Sequence, residues 1–396
     1  MENGGALGTV ASPKFAAAAI WWMMVMGQAA VEELILPFPS FLSPATLTPP
    51  HHQHQVYVKS SLFPHSPRSC LRWKNRSQAL LTVLKSLGAD ILCLQELDEY
   101  DSFYKTNIEG LGYSSIYIQR NGEKRDGCGI FYNTNILSGV SLQKSQNFDG
   151  NFYLCKFVLR WYLRSESNTM ILCILSRMQQ YARWWTSLAV QKYLHKRMFE
   201  LIVETPSDPR VRLKRDCVGI MAAFRLKDPS HHLVVVANTH IYWDPEWADV
   251  KLAQVKYLLS RLDTFKNLVA DKFECDPSVI VTGDFNSTPG DKVYQYLTSG
   301  DPSSASHPQC LDELPIPLCS VYAHTRGREP TFTNCTPDFT NTLDYIFFSL
   351  SGRIKPVSFL ELPELNSEDV AGCLPNLHHP SDHLPIGADF VVMSDD

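Results

Sequence analysis

The sequence predicts an α/β fold on three observations: apolar runs of strand length recur along the chain, stripes of helical period lie between them, and most runs end in polar residues. Ala79, Leu80, Val83, Leu84 and Leu87 fall on one helical face, and the run ADILCLQE follows at once. That pattern is a helix feeding a buried strand. HLVVVANTH repeats it, with a helix predicted from Asp249 to about Leu262 carrying Val250, Ala253, Tyr257 and Leu258 on one side. SVIVTGDFN, TLDYIFFS and SDHLPIGADFVV supply further buried strands.

Composition sets the frame. With 396 residues, 44% hydrophobic and 19% charged, the chain has ample material for a core, as one large α/β unit or two average domains. A formal charge of −5 provides no overall basic field, so duplex DNA is not an expected partner and any RNA must be held locally. The 11 cysteines include no C-x-x-C pair, and several sit inside apolar runs, such as Cys93 and Cys217. They read as reduced thiols of an intracellular protein, cytoplasmic and/or nuclear.

Residues 1–55 read as an atypical leader and a Pro/His-rich linker, and residues 56–394 as a single domain interrupted by an atypical insert at 136–208. Phe15 to Ala30 is apolar, follows Lys14 and imitates a signal peptide, but it is under 20 residues and Glu32 and Glu33 flank it. A tail or organelle leader is the preferred reading, and a membrane role the minor one. From Pro37 to Gln55 five prolines exclude a continuous helix or central strand, and His51, His52 and His54 beside them read as a solvated tract before a metal site. The insert carries Trp161, Trp184 and Trp185 and nine Lys or Arg against five Asp or Glu. Surface packing or a mistaken exon is preferred over an RNA-touching helical unit.

Phosphodiester hydrolysis needs a hard cation, a base for the attacking water and donors for the phosphate oxygens. Glu96, Asp284, Asn286, Asp344, Asp382 and His383 all stand where an apolar run meets a loop, and strand ends on one sheet edge can converge. Taken singly, each acid is ordinarily a turn or capping residue, and a lone His a structural one. The ordered set Q-E, N-T-H, G-D-F-N, L-D-Y-I-F and S-D-H-L-P is what discriminates.

Those motifs, with LQELDEYDSFY, KRDGCGIFY, RLKRDCVGIMAAF, ANTHIYWDPEWADVKLAQ, VTGDFNSTPGD and FTNTLDYIFFS, resemble the endonuclease/exonuclease/phosphatase superfamily. Within it the chain is similar to carbon catabolite repressor type poly(A) deadenylases, over Val56 to Thr134 and Pro209 to Val392. The resemblance implies a two-layer β-sandwich flanked by helices, and a magnesium-dependent exonuclease that shortens poly(A) RNA from the 3′ end and releases 5′-AMP. It implies that Glu96 binds magnesium and His240 contacts the phosphate. Asp284 would move the proton, Asn286 bind substrate beside it, and Asp344 orient His383 with Asp382 in support. Pro245 and Phe339 would hold the adenine base, although on residues alone they read as a turn and a core aromatic. Lys124, Arg125 and Asp126 would form part of the rim. Other deadenylation factors are the expected protein partners, without the leucine-rich repeat by which some relatives dock.

One departure matters. The resemblance calls for a first strand ending in Tyr-Asn ahead of VYVKSSLF, and the chain has HHQHQ there. The first strand and its Asn are therefore predicted to be missing and the activity impaired. Two alternatives follow: an inactive RNA-binding protein of the same fold, and a phosphodiesterase or phosphatase acting on a small nucleotide.

Overall fold

The computed structural model describes residues 14–21, 63–120, 124–140, 157–160, 215–300 and 314–393. Its strands, in chain order, are β1 Lys14–Trp21, β2 Ile91–Gln95, β3 Tyr113–Gln119, β4 Gly127–Asn133, β5 Leu137–Val140, β6 Phe157–Arg160, β7 Val218–Leu226 and β8 Leu233–His240. They continue with β9 Ser278–Asp284, β10 Leu318–Ser320, β11 Asn334–Cys335, β12 Thr340–Asn341, β13 Asp344–Ser349, β14 Ile354–Phe359 and β15 Ile386–Val392. The α-helices are α1 Arg68–Leu71, α2 Trp73–Leu87, α3 Lys105–Glu109, α4 Ala248–Phe273, α5 Lys292–Thr298 and α6 Val321–Arg326.

Two sheets form the layers. One runs β14-β15-β1-β2-β4-β3; the other runs β10-β13-β9-β8-β7-β5, with β6 also on β7. Alternate residues of each strand face the partner sheet, as a period of two requires. Ile91, Cys93 and Ile130 of the first sheet thus meet Ile220, Val236 and Ile346 of the second in one buried core. The outward faces carry helices. Leu80 and Leu84 of α2 cover Leu92, Leu94 and Phe131, while Val255, Leu258, Leu262 and Val269 of α4 cover Val235, Ala237 and Val281. The expected sandwich with outer helices is present. α4 runs past the predicted stop at Leu262 because its apolar stripe continues through Phe265 and Val269.

The first-strand expectation needs correction. The slot is filled by β1, drawn from the stretch read as leader: it pairs parallel with β2, from Ala17↔Ile91 to Trp21↔Gln95, and antiparallel with β15. KFAAAAIW is apolar and long enough for a central strand, and a vacant slot would strand backbone donors on both neighbours. The Tyr-Asn ending is absent all the same, since β1 closes on Trp21 and Trp22 follows in sequence. Within 136–208, β5 and β6 line successive stretches of the β7 edge. The tryptophans of that segment and His51, His52 and His54 lie outside the described residues. No helix among the described residues is long and apolar enough to cross a membrane.

Candidate active site

Strand register assembles the site. β8 and β9 are parallel with His240 opposite Asp284, and β9 and β13 are antiparallel with Asp284 opposite Asp344, so three functional residues share one sheet edge. Gly283 makes the approach possible: a Cβ there would lie 2.0 Å from the Thr239 carbonyl oxygen, at a φ of +146°. Glu96 comes from the other sheet. It follows β2 at a φ of 53°, and Asn286 follows β9 at 43°, both in the left-handed region that non-glycine residues rarely adopt. Such outliers persist where surrounding bonds over-determine them and concentrate at functional sites.

Asn286 illustrates the over-determination. Its backbone N–H donates to Asp284 Oδ1 at 2.7 Å, its Nδ2 donates to the Ile241 carbonyl at 3.1 Å, and Lys251 Nζ of α4 donates to its own carbonyl at 2.6 Å. Between the sheets, Gln95 Nε2 donates to Asn238 Oδ1 at 2.5 Å, and Asn238 Nδ2 donates to the carbonyls of Leu94 and Gly129 at 3.0 Å each. This buried amide pair fixes β2 against β8 one step from Glu96.

His383 Nδ1 and Asp344 Oδ2 are 2.7 Å apart. The Thr333 hydroxyl donates to the same oxygen at 2.5 Å and accepts the backbone N–H of Leu343 and Asp344. The SDH segment is held from two sides: Asn334 Nδ2 and Cys335 N donate to the Asp382 carbonyl at 3.2 and 3.1 Å, and Arg76 Nε of α2 donates to the Pro380 carbonyl at 2.8 Å. His240 bridges the layers, with Nδ1 3.6 Å from Glu96 Oε1 and Nε2 3.6 Å from Asp284 Oδ2.

Burial governs protonation here. Burial, with Asp344 adding repulsion, pushes the Asp284 carboxyl up to about 8. It raises Glu96 well above the usual carboxylate range despite the nearby Arg120 guanidinium, and raises Asp382 as well. His240 is driven well below its usual value by burial and by Arg120, which favours the uncharged ring. For His383 burial opposes charging, but Asp344, Asp382 and Asp284 outweigh it and raise the value.

Glu96, His240, Asp284, Asp344, Asp382 and His383 are therefore brought together, all buried. Asp284, Asp344 and His383 each offer a ligand atom within 4.8 Å of the others. Glu96 Oε2, Asp284 Oδ2 and Asp382 Oδ1 are buried acceptors without a donor. Carboxylate oxygens left without a donor, beside the close-set Asp284, Asp344 and His383, fit a hard divalent cation, which takes oxygen ligands. Pro245 and Phe339 sit apart on exposed turns. Pro245 opens a 3-10 turn capped by Asp244, and Phe339, 42% exposed, lies at the tip of the β11–β12 ribbon, so it is not a core aromatic. Of the expected rim, Asp126 is buried against Arg120, with Oδ2 2.8 Å from Nε.

Sequence reasoning missed Arg76, Arg120, Lys251, Thr333 and Asn334. Lys251 carried a signal, a charge beside Val250 within an apolar helical stripe. The others gave none: the partners of Arg76 and Asn334 are distant in sequence, and the turns that bring Arg120 to Asp126 and Thr333 to Asp344 show only in the fold.

A model of the Endonuclease/Exonuclease/phosphatase family matches residues 68–383, most of the chain. The chain belongs to that family. Among members of the endonuclease/exonuclease/phosphatase family, it is 55% identical over 339 residues to "Carbon catabolite repressor protein 4 homolog 4" of Arabidopsis thaliana, covering 85% of this chain and 75% of that protein. It is 26% identical to the "CCR4-Not complex 3'-5'-exoribonuclease subunit Ccr4" of Yarrowia lipolytica, covering 84% of this chain but 46% of that protein. The chain thus spans about half the length of this fungal relative. Among solved structures, ANGEL2, described as a 2',3'-cyclic phosphatase, superposes with a TM-score of 0.61 at 22% identity, covering 96% of this chain and 95% of that one. The human nocturnin catalytic domain gives 0.52 at 21% identity, over 82% and 90%. At these identities the two structures support the family fold and nothing finer.

Proposed function

We propose that this protein is a magnesium-dependent 3′ to 5′ exoribonuclease that shortens poly(A) tails and releases 5′-AMP. The observation that carries the reading is the buried cluster at the strand ends, in which three carboxylates keep an oxygen free beside a His–Asp pair. The fungal relative, named a 3'-5'-exoribonuclease subunit of the CCR4-Not complex, supports the RNA substrate and deadenylation factors as partners, and the reading places the protein in cytoplasm and/or nucleus.

Glu96 would hold the magnesium ion, with Asp382 in support, and the ion when bound would supply positive charge to the phosphoryl oxygens and lower the pKa of water. Asp284 accepts the proton of the attacking water and returns it to the leaving oxygen. Its high pKa suits a base working near neutrality. His383, held by Asp344, would donate from Nε2 to a phosphate oxygen, and His240 would contact the phosphate beside it. Asn286 binds the substrate beside Asp284. Phe339 stacks on the terminal adenine and Pro245 forms the opposing wall, contributing about 1 to 3 kcal/mol per base without a basic groove. Residues 56–394 are the catalytic domain in this reading, completed by β1.

The test is to incubate the purified protein with A-tailed and mixed-sequence RNA, with magnesium or with chelator. Stepwise shortening of the A-tailed RNA in magnesium alone is the expected result; chelator-resistant cleavage rejects the metal role. A binding protein without turnover is the second reading, and the Trp21-Trp22 pair in place of Tyr-Asn favours it.

A further inference from the structure

The loop after β8 leaves the site directly from His240 and is unusually well fastened. Ile241 accepts from Asn286 Nδ2 at 3.1 Å, Tyr242 N donates to the buried Gln254 Oε1 at 2.8 Å, and Asp244 Oδ1 accepts from Glu246 N at 3.0 Å. The Arg215 guanidinium lies over both the Tyr242 and Trp247 rings, 4.7 and 4.3 Å from their centroids. On this mount stands Trp243, 48% exposed, its ring tilted 50° to that of Tyr242 at 6.2 Å. Loops ordinarily place small or polar side chains at such positions. An indole left half in water on a rigid support is a surface prepared for a flat apolar partner.

We propose that Trp243 forms a second base-stacking subsite, which takes the base next to the terminal one at the 3′ end of the RNA. This rests on the RNA-binding reading above. Trp243 is three residues beyond His240 and two before Pro245, so it continues the substrate path along the same loop. The chain's net charge of −5 offers no general basic field for the RNA backbone, and stacking is a means of holding further nucleotides that needs none. Aromatic stacking accepts any base, so this subsite adds grip and leaves base identity to the terminal position. The fastened loop keeps the ordering cost of binding low.

The experiment compares fluorescently end-labelled pentaadenylate with the same oligomer carrying an abasic ribose at the penultimate position. Affinities are read by anisotropy in calcium, and turnover separately in magnesium. The parent is expected to bind pentaadenylate about thirtyfold more tightly than the abasic oligomer, in the middle of the range for one base stack. Trp243→Ala should bind both alike, and Trp243→Phe should keep most of the difference, each with the parent's melting temperature. Trp243→Ala that still discriminates, or that loses affinity for both oligomers equally, overturns the subsite. A parent that discriminates without shortening RNA supports the subsite and sinks the exonuclease reading. A parent that shortens RNA without discriminating does the reverse, and one that neither binds nor shortens removes both.

Discussion

Gly283→Ala is the most sharply determined perturbation of this protein. The new Cβ would stand 2.0 Å from the Thr239 carbonyl oxygen and 2.9 Å from its carbon, and φ at this position is +146°. Both obstacles are backbone of the adjoining central strand, so no side chain can rotate away. Steric overpacking costs about 2 kcal/mol and the forbidden φ about 2 more, giving about 4 kcal/mol of destabilisation. Gly88 is the internal control: its φ is +57°, nothing lies within 4 Å of an added Cβ, and Ala there should cost about 1 kcal/mol. Urea unfolding of the three proteins, followed by far-UV circular dichroism, measures both differences. Gly283→Ala should also lose RNA turnover, because Asp284 is carried on the next residue. A Gly283→Ala protein within about 1 kcal/mol of the parent would refute the claim that the β8–β9 approach at the site is fixed by backbone contact.

Asp284→Ala should lower RNA turnover about 10³-fold while leaving oligonucleotide affinity near that of the parent, since proton transfer contributes on that scale; equal rates would leave only a binding role. Lys251→Met removes the charged donor to the Asn286 carbonyl at 2.6 Å and should cost about 10- to 100-fold in kcat with little change in KM, measured by steady-state kinetics. The Asp284 carboxyl is pushed up to about 8, so metal-free protein should lose stability as pH rises towards 8, because the unfolded chain has already ionised. His240, lowered in the folded state, works the other way, but only below about 6.5, where the unfolded imidazole charges. Magnesium should accordingly raise the melting temperature more at pH 8 than at pH 6.5, and an equal shift in thermal melts at both would count against a cation bound beside Asp284. Replacing Trp21-Trp22 by Tyr-Asn should raise turnover and tighten magnesium binding, judged by the concentration of magnesium at half-maximal rate.

Much of this architecture was readable because strand ends are written locally. An apolar run followed by Q-E, N-T-H or G-D-F-N announces both the strand and the side chain it delivers, and β2, β8, β9, β13 and β15 form from the runs that predicted them. The first strand was misread for a physical reason. KFAAAAIW has the apolarity of a membrane segment, and a central strand can carry the same signature, so only its pairing with Ile91 to Gln95 and with β15 tells them apart. Asn334 and Arg76 were invisible because each acts on groups that only folding brings near; Arg76, for instance, reaches Pro380 across 304 residues of chain. Phe339 could not be assigned to surface or core from composition, since an aromatic flanked by threonines suits either.

The Gln95–Asn238 amide pair carries one further consequence. Glu96 belongs to one sheet, and His240, Asp284 and Asp344 to the other, so neither half of the molecule owns a working reaction centre. The two amides act as a dowel between the halves, at a depth water does not reach. Slippage of one half against the other by a fraction of a bond length would separate the acid from its partners while leaving each half intact, so activity should fade on warming before the protein melts.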